Sequence, residues 1–85
     1  MKARKLLWKA LGGTKNFRFA DLCYLATVFG YRLDRTSGSH HLFVHSEAGR
    51  PLNLQNVKGQ AKPYQVRQLL HDVEEFNLQL AEDES

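Results

Sequence analysis

GYRLDRTSGSHHLFVH, residues 30–45, is the stretch in which the apolar spacing of the chain changes from helical to alternating. Before it, Leu22, Leu25, Ala26 and Phe29 recur at helical intervals from about Phe19. Gly30 is suited to close that helix, because it adopts backbone conformations that other residues avoid. Within the stretch, Tyr31 and Leu33 alternate with Arg32 and Asp34, the period of a strand whose two faces differ. Thr36, Ser37 and Gly38 then predict a tight connection into a second strand spanning roughly Ser39 to Ser46.

Toward the C-terminus, Glu47-Ala48-Gly49-Arg50 reads as the next turn, and Leu52 and Leu54 alternate with Asn53 and Gln55 in a third strand. Strands joined by such short turns neighbour one another as an antiparallel meander. Pro63 fits the first position of a final helix, along which Val66, Leu69, Leu70, Val73 and Phe76 keep helical spacing. Tyr64, Gln65 and Arg67 fall on turns outside that stripe, where they either support the site or serve as ordinary helix surface. Toward the N-terminus, Leu6, Leu7 and Leu11 predict a short amphipathic helix closed by Gly12 and Gly13, with Lys2, Arg4, Lys5 and Lys9 on its wetter sides. The expected fold is α+β: a three-stranded antiparallel sheet with two helices on one face, preceded by a short N-terminal helix, its other face open to solvent or a ligand. Residues 1–16 read as an extension, 17–78 as the domain and 79–85 as a disordered acidic tail.

Eighty-five residues suit one domain with a modest core. The apolar fraction of 42% and charged fraction of 25% are those of a globular protein, and no uninterrupted apolar run reaches the length of a membrane span. Lys9 interrupts the only apolar run near the start and no small-residue cleavage site follows, so the expectation is no export signal and a cytoplasmic protein. The single Cys23 sits within an apolar helical pattern and reads as packing, not as a nucleophile. The formal charge of +3 hides an asymmetry: residues 1–71 hold all twelve Lys and Arg against Asp21, Asp34 and Glu47, whereas residues 72–85 carry six acids and no Lys or Arg. A basic body favours a polyanionic partner such as nucleic acid.

Three of the four histidines lie within residues 40–45. On a strand His41, Phe43 and His45 share one face and His40, Leu42 and Val44 the other. His41 and His45 are then about 13 Å apart, too far to hold one ion through bonds of about 2 Å, so no metal is expected. Leu42 and Val44 suggest that theirs is the core face, leaving His41 exposed. Phe43 then lies outside, where it stacks on a base, or else it is core and the faces are exchanged; the residues leave both open. An exposed histidine can move protons near neutral pH, and Arg32, Arg35, Arg50, Lys58, Lys62 and Arg67 are cations able to hold phosphates around it. Lys62 also stands just ahead of a helix, where backbone N–H groups favour an anion.

GYRLDRTSGSHHLFVH followed by AKPYQVRQLL resembles the HicA family of bacterial toxins, small ribonucleases that cleave mRNA and are restrained by a HicB antitoxin. The likeness runs from Phe17 to Leu78. It implies a double-stranded-RNA-binding-like fold, metal-independent endoribonuclease activity without a cofactor, and a catalytic histidine at the fourth position of the GSHH motif, His41; Ser39 of that motif joins the cations in the expected RNA-binding set. It also implies a HicB-like partner protein. Residues 1–16, the weakly basic NLQNVKGQ segment and the acidic tail depart from the family pattern. Two rival readings keep the charge but not the chemistry: a non-catalytic RNA-binding module of the same fold, and a domain that docks an acidic protein.

Overall fold

The computed structural model describes residues 2–81. Helix α1 spans Lys2–Gly12 and α2 Phe19–Val28; strands β1 (Arg32–Ser37), β2 (His40–Val44), β3 (Leu52–Val57) and β4 (Gln60–Ala61) follow, and α3 covers Pro63–Glu75. The strands form one antiparallel sheet in the order β1-β2-β3-β4.

The α+β class agrees with expectation, but the sheet has four strands, not three. β4 arises because Lys58 and Gly59 both take positive φ, 53° and 84°, the conformation of the two-residue turns that match strand twist. The side-chain oxygen of Asn56 accepts the Gly59 N–H at 2.7 Å, holding that turn. NLQNVKGQ is thus mostly β3, the turn and the start of β4.

Helix α2 buries Phe19, Leu22, Leu25, Ala26 and Val28. Gly30 ends it at φ 101°, and the Tyr31 N–H turns back to the Ala26 carbonyl at 3.1 Å. No side chain caps the first turn. Instead the Phe19 N–H donates to the Gly59 carbonyl at 2.9 Å, so the β3–β4 turn satisfies a group the helix leaves open.

Helix α1 buries Ala3, Leu6 and Ala10, a stripe whose small residues permit close helix approach. Leu7 is only partly buried and Leu11 is 65% exposed, so the expected leucine stripe is displaced around the helix. α1 packs on α2 and α3 and belongs to the same core.

In α3, Val66 and Leu69 are fully buried, while Leu70, Val73 and Phe76 pack partly. Gln65 and Asp72 are also buried, contrary to the surface reading of Gln65. Its side-chain oxygen accepts the Gln55 N–H of β3 at 2.8 Å, which is why a polar residue is tolerated there. Beyond α3, Leu78 is buried and the Ala81 N–H donates to the Val28 carbonyl at 2.9 Å. The expected disordered tail is therefore docked through Ala81, and residues 82–85 lie outside the described residues.

The faces of the hairpin are exchanged relative to the first of the two readings. Directly opposed strand residues share a face, and β2 pairs His41 with Leu54 and Phe43 with Leu52. Leu52, Leu54 and Phe43 are core, so His41 lies on the core side, half-buried, while His40 is exposed on the outer side with the half-buried Leu42 and Val44. β1 does not keep its expected alternation: every residue is exposed, Leu33 included, and the register shifts between Leu33 and Arg35. It is an edge strand, and the helices pack mainly on β3 and β4.

Candidate functional site

His41 stands at the end of the sheet where four chain segments meet. The β1–β2 turn, Gly38 and Ser39, lies beside β3, since the Ser39 carbonyl accepts the Asn56 N–H at 2.9 Å. Phe19 at the start of α2 presents its ring edge-on to the His41 imidazole, centroids 4.8 Å apart. Arg18 bridges to Gln60 of β4. Lys58 and Lys62 flank Gln60 two residues to either side, Lys62 immediately preceding α3. The starts of α2 and α3 therefore share one end of the sheet with His41, and their dipoles add to the positive charge there, with Asp21 in the first turn of α2 as the one opposing charge in those two first turns.

Within this cluster His41 Nδ1 lies 3.4 Å from the Ser39 carbonyl oxygen. A carbonyl only accepts, so this contact favours the tautomer with the proton on Nδ1 and leaves Nε2 as the basic nitrogen. The T-shaped contact with Phe19 packs one side of the ring and leaves His41 half-exposed. Ser39 itself is held by Gln55, whose amide nitrogen donates to its hydroxyl at 3.3 Å.

Not every expected cation joins this cluster. Arg32 and Arg35 are exposed on β1, both beside Asp34, at 3.9 Å and 3.2 Å. Arg35 opposes Leu42, on the face away from His41, and Arg32 opposes Val44 at the far end of the hairpin. Arg67 donates to the Thr14 hydroxyl at 3.0 Å, tying α3 to the α1–α2 connection.

Arg50 is committed elsewhere altogether. Its guanidinium donates to Asp72, fully buried, and to Glu75 at 2.9 Å, and lies over the Phe76 ring at 5.2 Å. The hydrogen bonds from Arg50 hold the Glu75 carboxyl below its usual range, and Glu75 and Asp72 in turn strengthen the guanidinium's hold on its proton. A buried carboxylate needs such a partner. Arg50→Ala is therefore expected to lower the thermal unfolding midpoint, which differential scanning fluorimetry reads.

Sequence reasoning missed Arg18. Its only signal was its place just ahead of the helix starting at Phe19.

The other two hairpin histidines have different surroundings. His40 lines a cleft of about 350 Å³ between β3 and the start of α3, with Asn53, Tyr64 and Gln68, its Nδ1 3.4 Å from the Asn53 side-chain oxygen. Lys62 lies over the Tyr64 ring at 5.8 Å. His45 is a structural lock: Nε2 donates to the Phe29 carbonyl at 3.0 Å, Nδ1 accepts the Glu47 N–H at 2.9 Å, and the ring meets Tyr31 edge-on. Those two bonds require the neutral imidazole with its proton on Nε2.

Among the described residues, one group offers metal-ligand geometry, His71, Asp72 and Glu75, with ligand atoms within 4.8 Å of one another. It is the Arg50 cluster seen from α3 and includes none of the hairpin histidines. Burial pushes the half-buried Cys23 thiol up to about 11, which keeps it protonated and a poor nucleophile at neutral pH. Among the described residues no helix is long and apolar enough to cross a membrane.

Comparison with protein-family models, curated proteins and solved structures finds no match for this chain.

Proposed function

We propose that this chain is a toxin-type endoribonuclease of the HicA kind, with the double-stranded-RNA-binding-like arrangement of that family, that cleaves mRNA in the cytoplasm through His41 and without a metal or cofactor. The observation that carries the reading is the position of His41, half-open at the sheet end where Arg18, Lys58, Lys62 and two helix starts converge.

In this reading His41 Nε2 takes the proton of a ribose 2′-hydroxyl as that oxygen attacks the adjacent phosphorus. The 5′-oxygen leaves and is protonated from solvent, giving a 2′,3′-cyclic phosphate and a 5′-hydroxyl. Lys58, Lys62 and Arg18 stabilise the charge that develops on the phosphoryl oxygens, with the α2 and α3 starts adding aligned N–H dipoles. Ser39 positions the imidazole through its carbonyl. Arg32 and Arg35, on the edge strand, draw flanking phosphates toward the protein at longer range. A HicB-like partner restrains the activity by covering the His41 end, the direct way to block a shallow site.

The test is cleavage of a long single-stranded RNA by the purified chain in the presence of excess EDTA. Cleavage at an undiminished rate is expected. RNA that is bound and shifted on a gel yet stays whole, with or without added magnesium, assigns the chain to the non-catalytic binding module instead. Absence of any shift at low salt assigns it to protein docking.

A further inference from the structure

The end of the molecule remote from His41 carries a feature that RNA cleavage does not use. A groove of about 760 Å³ runs between α1 and the C-terminal part of the chain, its apolar lining including Leu7, Leu11, Leu70, Val73, Leu78 and Leu80. Phe29, at the opposite end of α2 from Phe19, closes it; ten residues of helix separate those two ends by about 15 Å. The groove continues onto the open side of α1. Arg4, Trp8 and Leu11 recur there at helical spacing, and Trp8 and Leu11 are 76% and 65% exposed. Large apolar residues this exposed at helical spacing are unusual on a small domain that has already placed Ala3, Leu6 and Ala10 in its core.

The charge on the α1 side of this surface is one-sided. Residues 2–18 contain Lys2, Arg4, Lys5, Lys9, Lys15 and Arg18 and no acid. Lys2 and Lys9 lean toward the α2 side, over the Tyr24 and Phe17 rings at 4.8 Å and 5.5 Å. Arg4 and Lys5 are left beside Trp8 and Leu11 on the exposed side. Glu74 stands on the opposite wall.

From this we infer that the α1 groove is a docking site for an acidic amphipathic helix of a partner protein, its apolar ridge seated between Leu7, Leu11 and Leu70 and its carboxylates turned toward Arg4 and Lys5. A concave, leucine-lined trough fits the ridge of a helix, the recognition mode in which apolar residues at i, i+3, i+4 and i+7 enter a groove. The carboxylates must lie on the α1 side, because Glu74 repels them on the other. Occupancy here leaves the His41 end open, so a partner held in this groove is compatible with an active site still accessible to RNA.

Trp8, the only tryptophan of the chain, is the reporter. The probe is a synthetic helical peptide of about 14 residues, long enough to run the length of α1, with leucines at i, i+3, i+4 and i+7 and glutamates along one flank. Titrated into the full chain, it is expected to shift Trp8 emission to the blue saturably. Leu11→Glu is expected to weaken binding by at least about tenfold, and raising salt to weaken it further; RNA cleavage by that variant stays at the wild-type rate. Since Leu11 is mostly exposed, the substitution leaves the fold intact. The inference is overturned by no saturable shift, by equal binding of a peptide with lysines in place of the glutamates, by a shift that grows with protein concentration alone, which assigns the surface to a second copy, or by anionic phospholipid vesicles shifting Trp8 while the peptide does not.

Discussion

Replacing His41 with alanine is expected to lower the rate of RNA cleavage by about 10²–10⁴-fold, the usual contribution of a positioned general base. The fold should survive. His41 is half-buried, its Nδ1 contact to Ser39 is long at 3.4 Å, and the core side chains across from it, Leu54 and Phe19, keep their other neighbours. RNA affinity is expected to hold within about threefold, because phosphate contacts come from cations and dominate affinity. His40→Ala is the paired control. Its imidazole lies on the other face of β2 from His41, beside Asn53, so cleavage should persist. Single-turnover rates on a defined RNA for the three proteins check this. Loss of activity in His40→Ala with retention in His41→Ala would move the chemistry to the outer face.

Gly30→Ala is expected to give the largest loss of stability from a single methyl group. Gly30 holds φ at 101°, a region that costs other residues of order 1–3 kcal/mol. The added Cβ would also stand 2.6 Å from His45 Nε2, the nitrogen that donates to the Phe29 carbonyl. Moving the ring sacrifices that bond, about 1 kcal/mol more. Urea unfolding monitored by circular dichroism reads the change. Gly38→Ala sits at a positive φ with nothing within 4 Å of its Cβ position and should cost less. Equal losses at the two glycines would remove His45 from the account.

Much of the fold was legible because two helices and a hairpin carry their own local signals. The stripe from Leu22 to Phe29 ended by Gly30, and the Pro63 start with Val66 and Leu69, state helix boundaries without help from the rest of the chain. What escaped depends on non-local pairing. Phe43 against Leu42 and Val44 is undecidable within β2; Leu52 and Leu54 across the pair decide it, and with it the side on which His41 lies. β4 escaped because its turn places Lys58, not an asparagine or glycine, at positive φ. Arg50 looked like a free cation in a turn, since its partners Asp72 and Glu75 come from α3, and burial of Asp72 in the helical stripe was masked by its charge. Of the site itself, the sequence offered the residue types at their positions. Convergence of Arg18, Lys58 and Lys62 on one sheet end follows from the Arg18 to Gln60 bridge, which no local pattern announces.

The most direct test of His41 as the base for 2′-hydroxyl attack is the chemistry of the cut ends. RNA cleaved by the purified chain in EDTA should carry 2′,3′-cyclic phosphate and 5′-hydroxyl termini, detectable by mass spectrometry, and a DNA oligonucleotide of the same sequence should remain whole. Fragments with 3′-hydroxyl and 5′-phosphate ends, or cleavage of the DNA, would show that no ribose hydroxyl attacks and would contradict the role given to His41.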